Sequence, residues 1–337
     1  MQKNLSAIVI GLGHHGRSIA RLAHEAGISV VAGVDPVAAG EPLGSVLGDD
    51  AVSAPILASH AELPSELVDR ADVVVVAARL EMQEAVDLIA GYLRGGTNVV
   101  TIIEQLFDPS SLEVAQLAQL EDAAAAGGVS YLATGAQDVM WLGLVALATG
   151  GVRNLREVRI TQRLGVDGYP VPFVQGEVGA GIRPEDFGPI SAAALELPSV
   201  LGSVLPVLAR GLGLAQLGFV RTYDPVLVDA PLQSASLGRE IPVGESIGCL
   251  DRSVLTTAEG VTLTAELETT ARQPGGANDV FEAVIDAEPG ITLTHIMDPG
   301  PACVDATVVN RLRQVVEADP GVLTPLELPL VVHRAQA

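Results

Sequence analysis

A glycine-rich turn near the start of the sequence has the spacing of a dinucleotide-binding loop. Gly11, Gly13 and Gly16 follow a short β-branched run at 7–10 and open an amphipathic stretch that ends at Gly27. Glycine at these positions permits the tight turn, the close approach of a pyrophosphate and the packing of helix against strand. The free N–H groups at the start of the helix would bind the phosphates. The loop residues predicted to contact a cofactor are Gly11, Leu12, Gly13, His14, His15 and Gly16.

Asp35 ends the next apolar run and lies 19 residues after Gly16. A carboxylate at this distance accepts hydrogen bonds from the ribose hydroxyls of NAD. Pro36 follows it, where an arginine would pair with the 2′-phosphate of NADP, so the sequence favours NAD and leaves NADP open. The alternative is a glycine-rich turn in an unrelated α/β protein. The further cofactor residues predicted at the end of a later buried strand are Ala78 and Arg79.

Glu104 stands at the end of the buried run 98–103, where a parallel sheet presents its ligand-binding edge. A carboxylate beside a nicotinamide ring can move protons during hydride transfer or hold a cationic nitrogen. The alternative is a helix-capping or solvated acid. Lys3 is the only lysine in the chain and precedes the first strand, which argues against any mechanism that needs a catalytic lysine.

Composition narrows the classes of partner. The chain has 41 acidic and 19 basic residues and a net charge of −22, a surface that repels nucleic acid and anionic lipid. No apolar run reaches the length of a membrane span, and no leader pattern precedes the first strand. Cys249 and Cys303 lack the spacing of a disulfide framework or a metal site. These features predict a cytoplasmic protein without a bound metal.

The order of the predicted elements gives the fold class. Strands alternate with helices through the first part of the chain, which predicts βαβ units and one parallel sheet. From about residue 150 the pattern changes to alternating strands, and a helix at 305–317 is expected to return to the nucleotide domain. The predicted fold is α/β, a Rossmann doubly wound parallel sheet with a second α+β domain on a mostly antiparallel sheet. The predicted divisions are 1–135 for dinucleotide binding, 136–304 for substrate and dimerisation, and 305–337 for the closing helix and tail.

Several longer stretches support a family resemblance. They are NVVTIIEQLFDP at 98–109, YLATGAQDVMWLGL at 131–144, TQRLGVDGYP at 161–170 and the tail PGVLTPLELP at 320–329. Together they resemble the native amine dehydrogenase and 2,4-diaminopentanoate dehydrogenase family, relatives of dihydrodipicolinate reductase. Sugar and polyol dehydrogenases of the two-domain type instead carry Glu-Lys-Pro where this chain reads Glu104-Gln105-Leu106.

The resemblance implies an activity and a set of pocket residues. It implies NAD(P)-dependent reductive amination of a small aldehyde or ketone with ammonia, and the reverse deamination, with Glu104 as the acid–base. It also implies a homodimer formed through the second domain. Arg163 could hold a substrate carboxylate or pair with an acid, and His295 could be structural. The residues predicted to line the substrate pocket are Met140, Trp141, Leu142, Arg163, Tyr169 and His295.

Two departures from the family pattern concern the substrate. Many members carry Asn-Pro-Gly where this chain has Gln137-Asp138-Val139, and a second aromatic where it has Leu142. In the implied reaction the nicotinamide hydride attacks an iminium formed from ammonia and the carbonyl. Glu104 would take a proton from the nitrogen and stabilise the iminium by its charge. The alternatives are an imine or dihydrodipicolinate-type reductase that does not use free ammonia, and a non-catalytic NAD-binding sensor.

Overall fold

Parallel strands and helices alternate through residues 6–133 of the computed structural model, which describes residues 4–228, 230–274, 279–297 and 302–333. Lys3 lies outside these ranges. The strands are β1 (Ser6–Ile10), β2 (Ser29–Val34), β3 (Ile56–Leu57), β4 (Val73–Val76), β5 (Asn98–Thr101) and β6 (Ser130–Ala133). The helices are α1 (His14–Glu25), α2 (Leu43–Leu47), α3 (Ser65–Val68), α4 (Met82–Arg94) and α5 (Val114–Gly127).

The following part of the chain forms a second compact unit, 144–300. Its helices are α6 (Leu144–Thr149), α7 (Val171–Gly176), α8 (Gly188–Leu195) and α9 (Val204–Gly211). Its strands are β7 (Arg153–Asp167), β8 (Gln216–Leu227), β9 (Leu232–Ser234), β10 (Arg239–Ile241), β11 (Ser246–Thr257), β12 (Thr262–Pro274), β13 (Asp279–Glu288) and β14 (Ile291–Met297). The chain then returns to the first unit through α10 (Ala302–Val316) and β15 (Gly321–Leu323).

The sheet of the first unit has seven parallel strands in the order β15-β6-β5-β4-β1-β2-β3. The four valines of β4 are fully buried, because helices cover both faces of a parallel sheet. β1 pairs with β2 on one side and with β4 on the other, so the carboxyl ends of β1 and β4 form the crevice where such sheets bind ligands. The predicted Rossmann sheet is confirmed.

The second unit is built on a six-stranded sheet in the order β14-β13-β7-β12-β11-β8. Only β7 and β12 run parallel, and the other neighbours are antiparallel, which confirms the predicted sheet type. The helical region between β7 and β8 is divided into separate helices, among them α8 and α9. Pro198 falls between α8 and α9, whereas Pro206 is tolerated in the first turn of α9, where its missing N–H breaks no hydrogen bond.

A buried ion pair joins two segments of the first unit that lie on either side of the second unit in the sequence. A π-helical segment, Gln137–Gly143, follows β6 and belongs to the first unit, so this unit extends past the predicted boundary at 135. Arg311 of α10 donates from Nε and Nη2 to the two carboxylate oxygens of Asp138, at 2.7 Å each. The Asp138 and Arg311 side chains are 1% and 4% exposed. The pair therefore holds this segment on α10.

Neutral groups complete this network. The Thr134 hydroxyl donates to Asp138 Oδ2 at 2.7 Å, and Arg311 donates to the Pro329 carbonyl at 2.8 Å and to Gln314 Oε1 at 2.6 Å. Thr134 directly after β6, the π-helical segment, α10 and the tail thus share one hydrogen-bonded cluster. Within the described ranges, no helix is both long enough and apolar enough to cross a bilayer.

We expect Arg311→Met to destabilise the protein by roughly 3–5 kcal/mol, because it leaves the Asp138 carboxylate buried without its counter-ion. Urea unfolding followed by circular dichroism measures this loss. Arg156→Met is the control, since its partner Asp286 and Arg156 itself are 52% and 53% exposed and such pairs contribute below about 1 kcal/mol. Equal losses in the two variants would contradict the structural role assigned to Arg311.

Candidate functional site

A cavity of about 1000 Å³ opens at the carboxyl ends of β1, β2 and β4. The predicted cofactor residues that line it are Gly11, Gly13, His14, His15, Asp35, Ala78 and Arg79. Sequence reasoning did not anticipate the contribution of Ser59 and His60, which follow the two-residue strand β3, or of Glu84 on α4. β3 is too short to give a clear sequence pattern, so the residues after it carried no signal.

The glycines of the loop are needed at their positions for different physical reasons. A Cβ on Gly16 would lie 1.7 Å from the Gly11 carbonyl oxygen, and a Cβ on Gly11, whose φ is +86°, would lie 2.7 Å from the Ala78 nitrogen. The packing of the protein itself therefore requires these two glycines. A Cβ on Gly13 would meet nothing within 4 Å. Space is left at Gly13 that the protein does not fill.

The start of α1 is arranged to receive an anion. Gly13 is its N-cap residue, no side chain caps the helix, and its first turn holds no acidic residue. Free N–H groups and the positive end of the helix dipole therefore meet the cavity. Phosphate groups bind readily at such a terminus.

Asp35 is held as a carboxylate at the end of β2. Its Oδ2 accepts the Leu12 N–H at 2.8 Å, and its Oδ1 accepts the N–H groups of Val37 and Ala38 at 2.9 and 3.1 Å. Burial acts to raise the pKa of Asp35, but these hydrogen bonds outweigh it and the pKa is lowered. The Leu12 side chain lies in the core at 2% exposure, so Leu12 acts on the cavity through its backbone N–H.

Glu104 begins the 3₁₀ turn Glu104–Leu106 that follows β5. Its side chain keeps surface open to water although protein atoms crowd around its carboxyl group. This crowding removes much of the hydration of the carboxylate and raises its pKa, and the positive charges of His15 and Arg79 offset part of that shift. The group is thus a carboxyl that can change its charge nearer to neutral pH than an ordinary glutamate.

His15 makes a contact that sequence reasoning missed. Its Nδ1 lies 2.7 Å from Oδ1 of Asp305, a residue in the first turn of α10 whose side chain is 1% exposed. Asp305 opens the helix predicted at 305–317, but nothing in the pattern indicated that this turn would meet the glycine loop. His14 lies edge-on to His15 with ring centres 5.5 Å apart.

The three pocket residues predicted in the first unit lie in the π-helical segment. Trp141 and Leu142 are 7% and 0% exposed, and Met140 is half-buried. Leu142 is therefore a core residue of this segment. π-Helical turns often occur at functional sites, because the widened turn changes the direction of the side chains that follow.

The structure does not bring together the pocket residues predicted in the second unit. Arg163 pairs with Val280, while His295 pairs with Phe281, so their side chains lie on opposite faces of the sheet. That each of them lines the substrate pocket stays a prediction. Tyr169 is 49% exposed, with its ring centre 6.0 Å from that of Phe173.

His295 lines a smaller hollow of the second unit, about 370 Å³ in volume, together with Leu144 and Leu147. Its ring stacks on Phe281 at 4.5 Å between centres. Its Nε2 is buried without a hydrogen-bond partner among the described residues, and burial lowers its pKa. His295 is therefore a neutral imidazole in an apolar hollow.

Comparisons with known proteins find solved structures that share this fold. The sequence matches no protein-family model and no curated protein. The amine dehydrogenase from Mycobacterium smegmatis is similar in structure, with a TM-score of 0.82 and 25% identity over 99% of this chain and 98% of that one. GenD2 from gentamicin A biosynthesis, solved with NAD, has a TM-score of 0.56 and 16% identity over 96% and 90%. Myo-inositol dehydrogenase from Lactobacillus casei, solved with NAD(H) and myo-inositol, has a TM-score of 0.59 and 15% identity over 96% of this chain and 90% of that one.

These similarities define the class. The chain is an oxidoreductase with the two-unit architecture of NAD-binding dehydrogenases, as the sequence predicts. The predicted resemblance to amine dehydrogenases is confirmed over nearly the full length of the chain.

Gly13→Ala and Gly16→Ala separate cofactor binding from packing. We expect Gly13→Ala to keep the melting temperature of the wild type, because its Cβ meets no protein atom, while NADH binding weakens about tenfold or more, equivalent to about 1.4 kcal/mol. Gly16→Ala should lower the melting temperature, because its Cβ overlaps the Gly11 carbonyl. Fluorescence titration with NADH and thermal unfolding measure the two effects. Undiminished NADH affinity in Gly13→Ala would contradict the assignment of the loop.

Proposed function

We propose that the protein is an NAD-dependent amine dehydrogenase that reductively aminates a small aldehyde or ketone with ammonia and catalyses the reverse deamination. The observation that carries the proposal is Glu104 at the end of β5, a crowded carboxyl whose pKa is raised by loss of hydration although the charges of His15 and Arg79 act to lower it. The likeness to an amine dehydrogenase at 25% identity supports the same chemistry. The chain's single lysine, Lys3, precedes β1 in the sequence.

The residues of the cavity fit NAD. Gly13 leaves room for a pyrophosphate, the uncapped start of α1 offers N–H groups to it, and the anionic Asp35 can accept ribose hydroxyls. NAD bound there would supply the hydride acceptor for amine oxidation and the donor for the reverse reaction. NADP is disfavoured because the Asp35 carboxylate would repel its 2′-phosphate, and Pro36 offers no positive charge to compensate.

Glu104 would serve the reaction in two ways. In the deamination direction its carboxylate takes a proton from the substrate ammonium, which frees the nitrogen lone pair needed for hydride loss. Once that proton has left Glu104, its negative charge stabilises the cationic iminium that develops beside it. A lysine at this place would repel the iminium, so the Glu-Gln-Leu sequence at 104–106 suits an amine better than an alcohol.

The decisive test measures NADH oxidation with a panel of small aldehydes and ketones, with and without ammonium. We expect turnover that requires ammonium, and we expect Glu104→Gln to lower kcat by roughly 10²–10⁴-fold because the amide cannot accept a proton. The deamination rate of the wild type should rise with pH through the raised pKa of Glu104, since only the ionised form accepts a proton. This rise should be missing in Glu104→Gln.

Glu121→Gln is the matched control, because Glu121 is exposed on α5. It should keep the wild-type rate and pH profile. Turnover without ammonium would favour a reductase that acts on carbonyls or on preformed imines. Binding of NADH with no turnover for any carbonyl would favour the sensor. Either result would overturn the amine dehydrogenase proposal.

We also propose a homodimer formed through the open face of the six-stranded sheet. Val220 and Ile296 on this face are 65% and 64% exposed, and Arg252 pairs with Glu266 at 3.3 Å between them. Two copies of a face that mixes exposed apolar residues with charges of both signs can pair about a two-fold axis.

Sedimentation velocity tests the dimer. Val220→Arg combined with Val284→Arg, a second residue of the open face that is 39% exposed, should give a monomer, because facing copies would bring four added charges together. Val114→Arg on α5, at a position 85% exposed, should sediment as the wild type does. A wild-type chain that sediments as a monomer, or a dimer that persists in the double variant, would contradict this interface.

A further inference from the structure

We propose that Tyr131 and Thr101 are positioning residues for Glu104, two buried hydroxyls that hold the backbone turn on which its carboxyl stands. The inference rests on the proposed acid–base role of Glu104 and adds the reason why that carboxyl keeps its place. Glu104 begins the 3₁₀ turn Glu104–Leu106. Thr101 and Tyr131 belong to the neighbouring strands β5 and β6, so both lie in the sheet from which this turn leaves.

The Glu104 carboxyl is not fixed by hydrogen bonds of its own. It has no hydrogen-bond partner among the described residues, and the charges that act on it come from His15 and Arg79. A glutamate side chain without such a bond keeps much of its rotamer freedom. Its position is therefore set by the backbone that carries it and by the protein atoms that crowd around it.

Tyr131 holds the far end of this turn. Its hydroxyl donates to the Leu106 carbonyl oxygen at 3.2 Å. The Tyr131 side chain is fully buried, and burial raises the pKa of its hydroxyl, which therefore keeps its proton and remains a donor. Leu106 is fully buried as well, so water cannot readily replace either partner. A buried hydroxyl is costly unless it is hydrogen-bonded, and the turn of Glu104 supplies the partner.

Thr101 holds the near end of the turn. Its Oγ1 accepts the N–H of Ile103, the residue directly before Glu104, at 3.1 Å. The same hydroxyl donates to the carbonyl of Val76, the last residue of β4, at 2.9 Å. Thr101 is 0% exposed, so both hydrogen bonds are shielded from water. The hydroxyl thus ties the backbone that leads into Glu104 to the adjacent strand.

Backbone hydrogen bonds and buried side chains complete the support of the turn. The Leu106 N–H donates to the Ile103 carbonyl at 3.0 Å, and the Phe107 N–H donates to the Glu104 carbonyl at 3.1 Å. The side chains of Leu106 and Phe107 are 0% and 2% exposed, whereas that of Glu104 keeps surface open to water. The backbone is thus held on both sides of Glu104. Loss of either hydroxyl would let the turn shift and admit water to the carboxyl.

Tyr131→Phe is the principal variant, because it removes one oxygen atom and keeps the ring that fills the core. We expect kcat for the best carbonyl of the panel to fall roughly 10- to 100-fold while the Kd for NADH changes little, since a small displacement of a catalytic group lowers the rate steeply. Tyr92→Phe is the matched control. Tyr92 on α4 lies in the same apolar core and is 8% exposed, but among the described residues its hydroxyl has no hydrogen bond to the turn. It should keep the wild-type kcat.

The ionisation of Glu104 gives a readout that does not depend on turnover. Nuclear magnetic resonance of ¹³C-labelled glutamate side chains in the free protein follows this group, assigned by its absence in Glu104→Gln. Loss of hydration raises the pKa of Glu104, so a turn that admits water should lower that pKa in Tyr131→Phe and in Thr101→Val. The deamination rate of both variants should then rise at lower pH than that of the wild type. Thr101→Ser keeps the hydroxyl and should return the Glu104 titration toward that of the wild type.

The outcomes separate the positioning role from the proposed function. Retained turnover in Glu104→Gln would overturn the proposed function itself, and the positioning role in catalysis with it. An inactive Glu104→Gln beside an unchanged Glu104 pKa in Tyr131→Phe and Thr101→Val would overturn the positioning role alone. Wild-type kcat in both variants, a defect confined to NADH affinity, or an equal loss of kcat in Tyr92→Phe would do the same. A lower Glu104 pKa together with a reduced kcat in the two variants, and neither change in Tyr92→Phe, is the expected result.

Discussion

The first unit depends on the buried ion pair between Asp138 and Arg311. The pair joins the π-helical segment that follows β6 to α10, a helix that begins more than 160 residues later in the sequence. Both side chains are almost fully buried, so each charge is tolerable only in the presence of the other. The carbonyl of Pro329 accepts from the same guanidinium, which also fixes the tail on this helix.

This clamp has a direct consequence for the cofactor cavity. It fixes α10 against the Rossmann sheet, and α10 carries Asp305 to the start of α1, where it holds His15. The position of a loop histidine is thus controlled from the other end of the chain. It also gives a structural reason for Asp138. Many members of the family that the sequence resembles carry Asn-Pro-Gly at this place, whereas here the Asp138 carboxylate binds Arg311 and its side chain is 1% exposed.

Electrostatic effects within the site oppose the overall charge. The chain carries a net charge of −22, yet the groups whose charges act on Glu104 are a histidine and an arginine. Desolvation favours the neutral form of the carboxyl, and the two cations favour the charged form. A group held between such opposing effects can gain and lose a proton at modest cost, which acid–base catalysis requires. Asp35 shows the opposite balance, because three backbone N–H groups keep it ionised.

The sequence by itself determined the Rossmann unit, the change to a mostly antiparallel sheet, and the positions of the glycine loop, Asp35 and Glu104. These features follow from local patterns, namely apolar periodicity and glycines at set distances, which a short stretch of chain contains in full. Only the tertiary structure decided that Asp305 holds His15, that Arg311 holds Asp138, and that Arg163 and His295 lie on opposite faces. Each of these depends on strand register or on the docking of a distant helix, and contacts between residues far apart in a single sequence leave no local pattern.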